Sequence, residues 1–126
     1  MRKNLLTLAI IIFIGLSAFS QQSEVLYFKA NLPCCPAKAC NILEAEIKEI
    51  IENNYSDNEI VFKTIKIADS NNSELIKKYN AKSQTVVIVS NETTVDVSDI
   101  VKSYTRKKDK VEFESKLLAK INKSLK

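Results

Sequence analysis

Residues 25–40 of this chain read VLYFKANLPCCPAKAC. The first part, Val25–Ala30, is rich in β-branched and aromatic residues and predicts a strand. Pro36 suits the first turn of a helix, because the N–H that proline lacks has no hydrogen-bond partner there. We therefore expect a strand that turns directly into a helix, and the three cysteines of the chain all lie at that turn.

Apolar residues then recur at helical spacing up to about Asn53. These positions are Ile42, Leu43, Ile47, Ile50 and Ile51. The acidic residues between them are interpreted as a solvated face, and they are Glu44, Glu46, Glu49 and Glu52. Farther along, alternation over Ile60–Ala68 predicts a second strand, and Glu74–Tyr79 predicts a short helix.

The second half of the chain begins with an unbroken β-branched run, Thr85–Val89, which is typical of a strand buried on both faces. Thr93–Val97 follows a short turn and is expected to be its hairpin partner. Ser98 and Asp99 are expected to cap a short helix that ends near Tyr104.

The last predicted helix starts with a capping box made by Asp109 and Glu112. Its apolar positions are Val111, Leu117, Leu118, Ile121 and Leu125. With the two C-terminal helices counted as one helical unit, the predicted element order is β-α-β-α-β-β-α, which is typical of an α/β domain.

This order, with cysteines where the first strand meets the first helix, resembles the thioredoxin fold from Glu24 to the C-terminus. The resemblance implies an α/β, thioredoxin-like domain. Two departures argue against ordinary oxidoreductase activity. Ala37 replaces the second cysteine of the Cys-x-Pro-Cys active site, and the segment Lys82–Thr85 lacks the proline that thioredoxins carry before the third strand.

The N-terminus has the pattern of a secretory signal peptide. Arg2 and Lys3 precede the apolar run Leu5–Leu16, and the small residues Ala18 and Ser20 occupy the positions that a signal peptidase reads. The run is short for a stable membrane span. An uncleaved N-terminal anchor is the alternative. The Lys/Asn/Ile-rich composition indicates a bacterial protein. With a cleaved signal peptide, we therefore expect the protein to be periplasmic or secreted.

Cleavage divides the chain into a signal peptide, residues 1–20, and a thioredoxin-like domain, residues 21–126. The second part is long enough for one compact domain. It holds 17 basic and 15 acidic residues, and this net charge of +2 is too even to predict a nucleic-acid partner. One glycine and no histidine exclude a glycine-rich phosphate loop and a Ser-His-Asp triad, so no nucleotide partner is expected.

The thiols of Cys34, Cys35 and Cys40 are the candidate site. Three thiolates suit a soft ion such as arsenite or Cu(I), and the start of a helix favours the thiolate form. Zinc would need a fourth ligand, which cannot be histidine here. Such an ion is the only ligand that the sequence predicts, and no further cofactor is expected.

Thiol–disulfide exchange is the competing hypothesis, and it would make the chain a thiol–disulfide oxidoreductase. Cys34 would attack a disulfide and be resolved by Cys40 or Cys35, with electrons from a membrane thiol-electron carrier. Adjacent cysteines form a strained ring, so Cys35–Cys40 or Cys34–Cys40 is the expected bond. A structural disulfide that leaves one idle thiol is the third alternative.

Two narrower resemblances involve arsenic. The spacing from Tyr27 to Cys34 and the stretch Leu75–Tyr79 before Ser83–Thr85 look like the ArsF family, described as a nitrophenyl-compound nitroreductase subunit. The CCx4C spacing is similar to that of the ArsD arsenite metallochaperones. Those proteins deliver to a cytosolic ATPase, which does not suit an exported chain. The implied partner here is a membrane permease.

Overall fold

The computed structural model describes residues 22–30, 35–56, 58–91 and 93–126, of which residues 35–37 are described by their backbone alone. The predicted signal peptide, residues 1–20, lies outside these ranges. The strands are β1 (Ser23–Lys29), β2 (Ile60–Lys66), β3 (Val86–Ser90) and β4 (Thr93–Asp96). The helices are α1 (Cys35–Asn54), α2 (Ser73–Lys78), α3 (Ser98–Lys107) and α4 (Lys110–Ser124).

The four strands form one sheet in the order β2-β1-β3-β4. β1 is parallel to β2, with Ser23 opposite Ile60, and antiparallel to β3, with Glu24 opposite Val89. β4 pairs with β3 as the predicted hairpin. This mixed sheet with helices on both faces is a thioredoxin-like α/β fold, and it confirms the predicted fold class.

The alternating side chains of β1 enter two separate cores. Val25 and Tyr27 have no exposed surface and pack with residues of α1, α3 and α4. Leu26 and Phe28 point to the opposite face, where residues of α2 cover them. β3 is divided in the same way, so the prediction of a strand buried on both faces is confirmed, although β3 starts one residue later than predicted.

Two details of the C-terminal half differ from the sequence predictions. α3 is longer than predicted, and Val97, which lacks a side-chain cap, occupies its N-cap position. Ser98 instead uses its hydroxyl to accept a hydrogen bond from the Val86 N–H at 3.2 Å. Val86 is buried, so its amide needs a partner within the protein. Ser98 and Asp99 therefore do not cap α3 as predicted.

α4 begins as predicted, with the Asp109 carboxylate accepting a hydrogen bond from the Glu112 N–H at 3.0 Å. Its buried stripe is Phe113, Leu117 and Ile121. Val111 is 80% exposed. It lies two positions before the buried Phe113, and residues at that spacing point to different sides of a helix. Within the described ranges, no helix combines the length and apolarity that a membrane span requires.

Candidate thiol site

The predicted thiol site lies at the carboxyl end of β1, where α1 begins. Cys35 is the first residue of α1, as the strand-to-helix pattern indicates. Its side chain and the whole of Cys34 lie outside what the structure describes. Cys40 is described in full, and its thiol is free. The structure therefore documents one of the three predicted sulfur atoms and the backbone of a second.

Cys40 has no exposed surface, and its sulfur faces the loop that leads into β3. The Sγ atom lies 3.8 Å from the Ser83 hydroxyl and 3.7 Å from the Gln84 side-chain amide, which donates to it. Gln84 adopts φ 65°, a left-handed conformation that bulky residues rarely take. The loop that lacks the thioredoxin proline thus contacts the thiol through two polar side chains.

Tyr27 connects the buried end of the site to β1. Its hydroxyl donates a hydrogen bond to the Cys40 carbonyl at 3.1 Å. Burial raises the pKa of Tyr27 far above its ordinary value, and the neighbouring Cys40 and Glu44 raise it further. The hydroxyl therefore remains a hydrogen-bond donor across the physiological pH range. Tyr27 lies in the strand that the sequence predicts, but its polar contact with Cys40 was not foreseen.

Glu44, one helical turn beyond Cys40, forms a small polar network. It lies 2.7 Å from the Lys29 ammonium and accepts a hydrogen bond from Thr64 at 2.8 Å. Burial raises the pKa of Glu44, but these hydrogen bonds outweigh burial and keep the pKa below its ordinary value. The interpretation of Glu44 as part of a solvated face is wrong, because two strands supply partners that its helix cannot provide.

The geometry of α1 separates Cys35 from Cys40. Five residues along a regular helix place two Cα atoms roughly 8–9 Å apart and about 140° around the axis. A disulfide needs a Cα separation below about 7 Å. The Cys35–Cys40 bond, one of the expected pairings, therefore does not fit an intact α1. A shared ion would also require the first turn of α1 to open.

Among the residues whose side chains are described, no group of three His, Cys, Asp or Glu is arranged to hold a metal ion. Two of the three predicted sulfur ligands are not in that set, so the three-thiol site stays a prediction. The residues that sequence reasoning missed are Ser83, Gln84 and Tyr27. No local pattern marks them, because Tyr27 in β1 and the adjacent Ser83 and Gln84 before β3 are all distant from Cys40 in the chain.

No protein-family model matches this sequence, and no curated protein matches it. One solved structure, described as that of a malarial protein, is 22% identical over 68% of this chain and 96% of that chain, with a TM-score of 0.43. Another, thioredoxin-2, described as a component of malaria parasite protein secretion machinery, is 19% identical over 68% and 82%, with a TM-score of 0.45.

Similarity at this level carries no argument about function. The strand order and the two-faced sheet define the fold by themselves. The chain therefore has a thioredoxin-like α/β fold.

Proposed function

We propose that this protein is exported and binds a soft metal or metalloid ion, of the arsenite or Cu(I) type, through Cys34, Cys35 and Cys40. The supporting observation is the separation of Cys35 from Cys40 along α1, with a free thiol at Cys40. An intact helix does not let these two residues form a disulfide, so the Cys40 thiol stays reduced and can become a ligand when the first turn of α1 opens. The CCx4C spacing that resembles ArsD supports the same class of ion.

Binding by all three sulfurs needs the first turn of α1 to open. Opening one turn removes a few helix hydrogen bonds, each worth about 0.5–1.5 kcal/mol net. Thiolate-rich zinc sites release roughly 10–16 kcal/mol on binding. A comparable soft-ion site offsets the opening cost several times over. Ser83 and Gln84 contact the Cys40 sulfur in its buried position.

The proposed location follows from the predicted signal peptide, and the partner would be a membrane permease that receives or supplies the ion. Intact-mass analysis checks the first point. We expect a chain that begins at Gln21, after cleavage behind Ser20. Residues 1–20 retained in a membrane fraction would contradict export.

Titration of the reduced protein with arsenite, and separately with Cu(I), tests the proposed site. Cys34→Ser, Cys35→Ser and Cys40→Ser should each weaken binding by a large and similar factor, because each removes one of three ligands. Amide hydrogen exchange adds a second measurement. Ion binding should speed exchange at the amides of Ala39 and Cys40, whose helical hydrogen bonds belong to the first turn.

The second candidate is thiol–disulfide exchange with a membrane electron carrier. The position of Cys35 at the first residue of a helix that follows β1 favours it, because helix starts activate thiols. Exchange predicts unequal mutants: Cys34→Ser abolishes disulfide reduction, loss of the resolving cysteine traps a mixed disulfide, and the third change is nearly silent. Equal tolerance of all three substitutions in both assays would contradict both functions.

A further inference from the structure

A groove of about 470 Å³ lies between the first half of α1 and the end of α3. Its apolar wall is a stripe on α1 at three- and four-residue spacing, formed by Ala39, Ile42 and Leu43. Ile42 is 50% exposed, although the sequence pattern assigned it to the apolar face of the helix. The core therefore leaves an aliphatic side chain uncovered at this place.

The groove also contains a carboxylate that lacks a full set of partners. Glu46 Oε2 is buried and accepts no hydrogen bond from any described group. Tyr104 faces the same carboxylate across the groove, and burial, followed by Glu46, raises the pKa of Tyr104 to about 12. Because Oε2 is buried, an incoming ligand does not reach it, and the carboxylate serves as part of the groove wall.

Two lysines stand at the rim of the groove. Lys38 and Lys108 both line it, and neither forms an ion pair with any other group that the structure describes. An apolar centre with a charged rim is the usual composition of a protein interface. The rim charge is complementary to acidic side chains, and the apolar centre to an aliphatic one.

We propose that this groove binds an extended segment of a partner protein in which an aliphatic side chain is flanked by acidic residues. The aliphatic side chain covers Ile42, and the acidic residues pair with Lys38 and Lys108. Gln84 lines the groove and also contacts the Cys40 sulfur, so the bound segment lies beside the candidate thiol site. The inference holds whether or not the thiols bind an ion.

Nuclear magnetic resonance titration of isotope-labelled protein tests the groove with two synthetic peptides, DLALD and its charge-reversed counterpart KLALK, both with blocked ends. DLALD should give saturable shifts at the amides of Ala39, Ile42 and Tyr104. KLALK should bind at least about tenfold more weakly, because Lys38 and Lys108 repel it. Absence of saturation by about 5 mM DLALD, or equal affinity for both peptides, would overturn the proposal.

Variants assign the binding to the groove. Ile42→Asp and Lys108→Glu should each weaken DLALD binding by about tenfold or more, whereas Val111→Asp, an exposed aliphatic position on α4, should leave it unchanged.

A second copy of the chain is the competing occupant. Shifts of the groove amides that depend on protein concentration in the absence of peptide would show self-association through this surface. That result would overturn the proposal of a partner segment in favour of a dimer.

Discussion

The two halves of α1 are built from different chemistry. The second half anchors the helix through Ile47, Ile50 and Ile51, which are buried in the core that also contains Val25 and Tyr27. The inner side of the first half adds Leu43 to this core but also contacts polar groups, through Cys40 and Glu44. Because burial of apolar surface dominates helix docking, the second half contributes most of the packing that keeps α1 in place.

The largest expected effect is at the anchoring half. Ile47→Ala removes a side chain with no exposed surface and should lower the free energy of unfolding by about 2–5 kcal/mol, measured by urea denaturation. Ile42→Ala is the matched control on the same helix and should cost less than about 1 kcal/mol, since Ile42 is half exposed. Equal losses would remove the distinction between the two sides of α1.

The next effect is at the polar network of the first half. Glu44→Gln should cost about 1–2 kcal/mol at neutral pH, because it weakens hydrogen bonds from Lys29 and Thr64 to a charged group. Glu49→Gln, which changes an exposed pair with Lys110, should cost less than about 0.5 kcal/mol. Urea denaturation of both variants measures the difference.

The pH dependence of that loss has a definite sign. The pKa of Glu44 is lower in the folded state than in the unfolded chain, so its stabilisation is complete above the unfolded value. Stabilisation disappears as pH falls through the folded pKa. The difference between wild type and Glu44→Gln should therefore shrink on acidification. A difference that grows at low pH would contradict the assigned direction.

Tyr27→Phe sharpens the comparison at the thiol itself. It removes the hydrogen bond to the Cys40 carbonyl and keeps the ring, so the free energy of unfolding should fall by about 0.5–1.5 kcal/mol. Reaction of Cys40 with a thiol reagent should also become faster, because the first half of α1 loses a tether. Tyr55→Phe, which removes an exposed hydrogen bond to Asn122, is the control and should not change that rate.

The smallest effect is expected on the outer side of α4. Val111→Asp should change the free energy of unfolding by less than about 0.5 kcal/mol, because Val111 is 80% exposed. A large loss of stability would show that Val111 is buried, as the sequence pattern predicts, and would contradict the observed exposure. Thermal denaturation of this variant decides the point.

Much of the fold was predictable because its signals are local. The β-branched run that becomes β3, the helical spacing that becomes α1 and the Asp109 cap each depend on residues a few positions apart. Local patterns also located the turn between β1 and α1 and identified its thiols as the candidate site. They could not distinguish a buried apolar position from an exposed one near a helix end, and Val111 is the example.

The sequence by itself determined the order of elements, the alternation that divides β1 between two cores, and the presence of three thiols at one helix start. Only the tertiary structure decided that Cys40 is buried against Ser83 and Gln84, and that Glu44 pairs with Lys29. The reason is range: hydrogen-bond and steric preferences act between neighbours in the chain, whereas burial and ion pairing depend on which distant segments the sheet brings together.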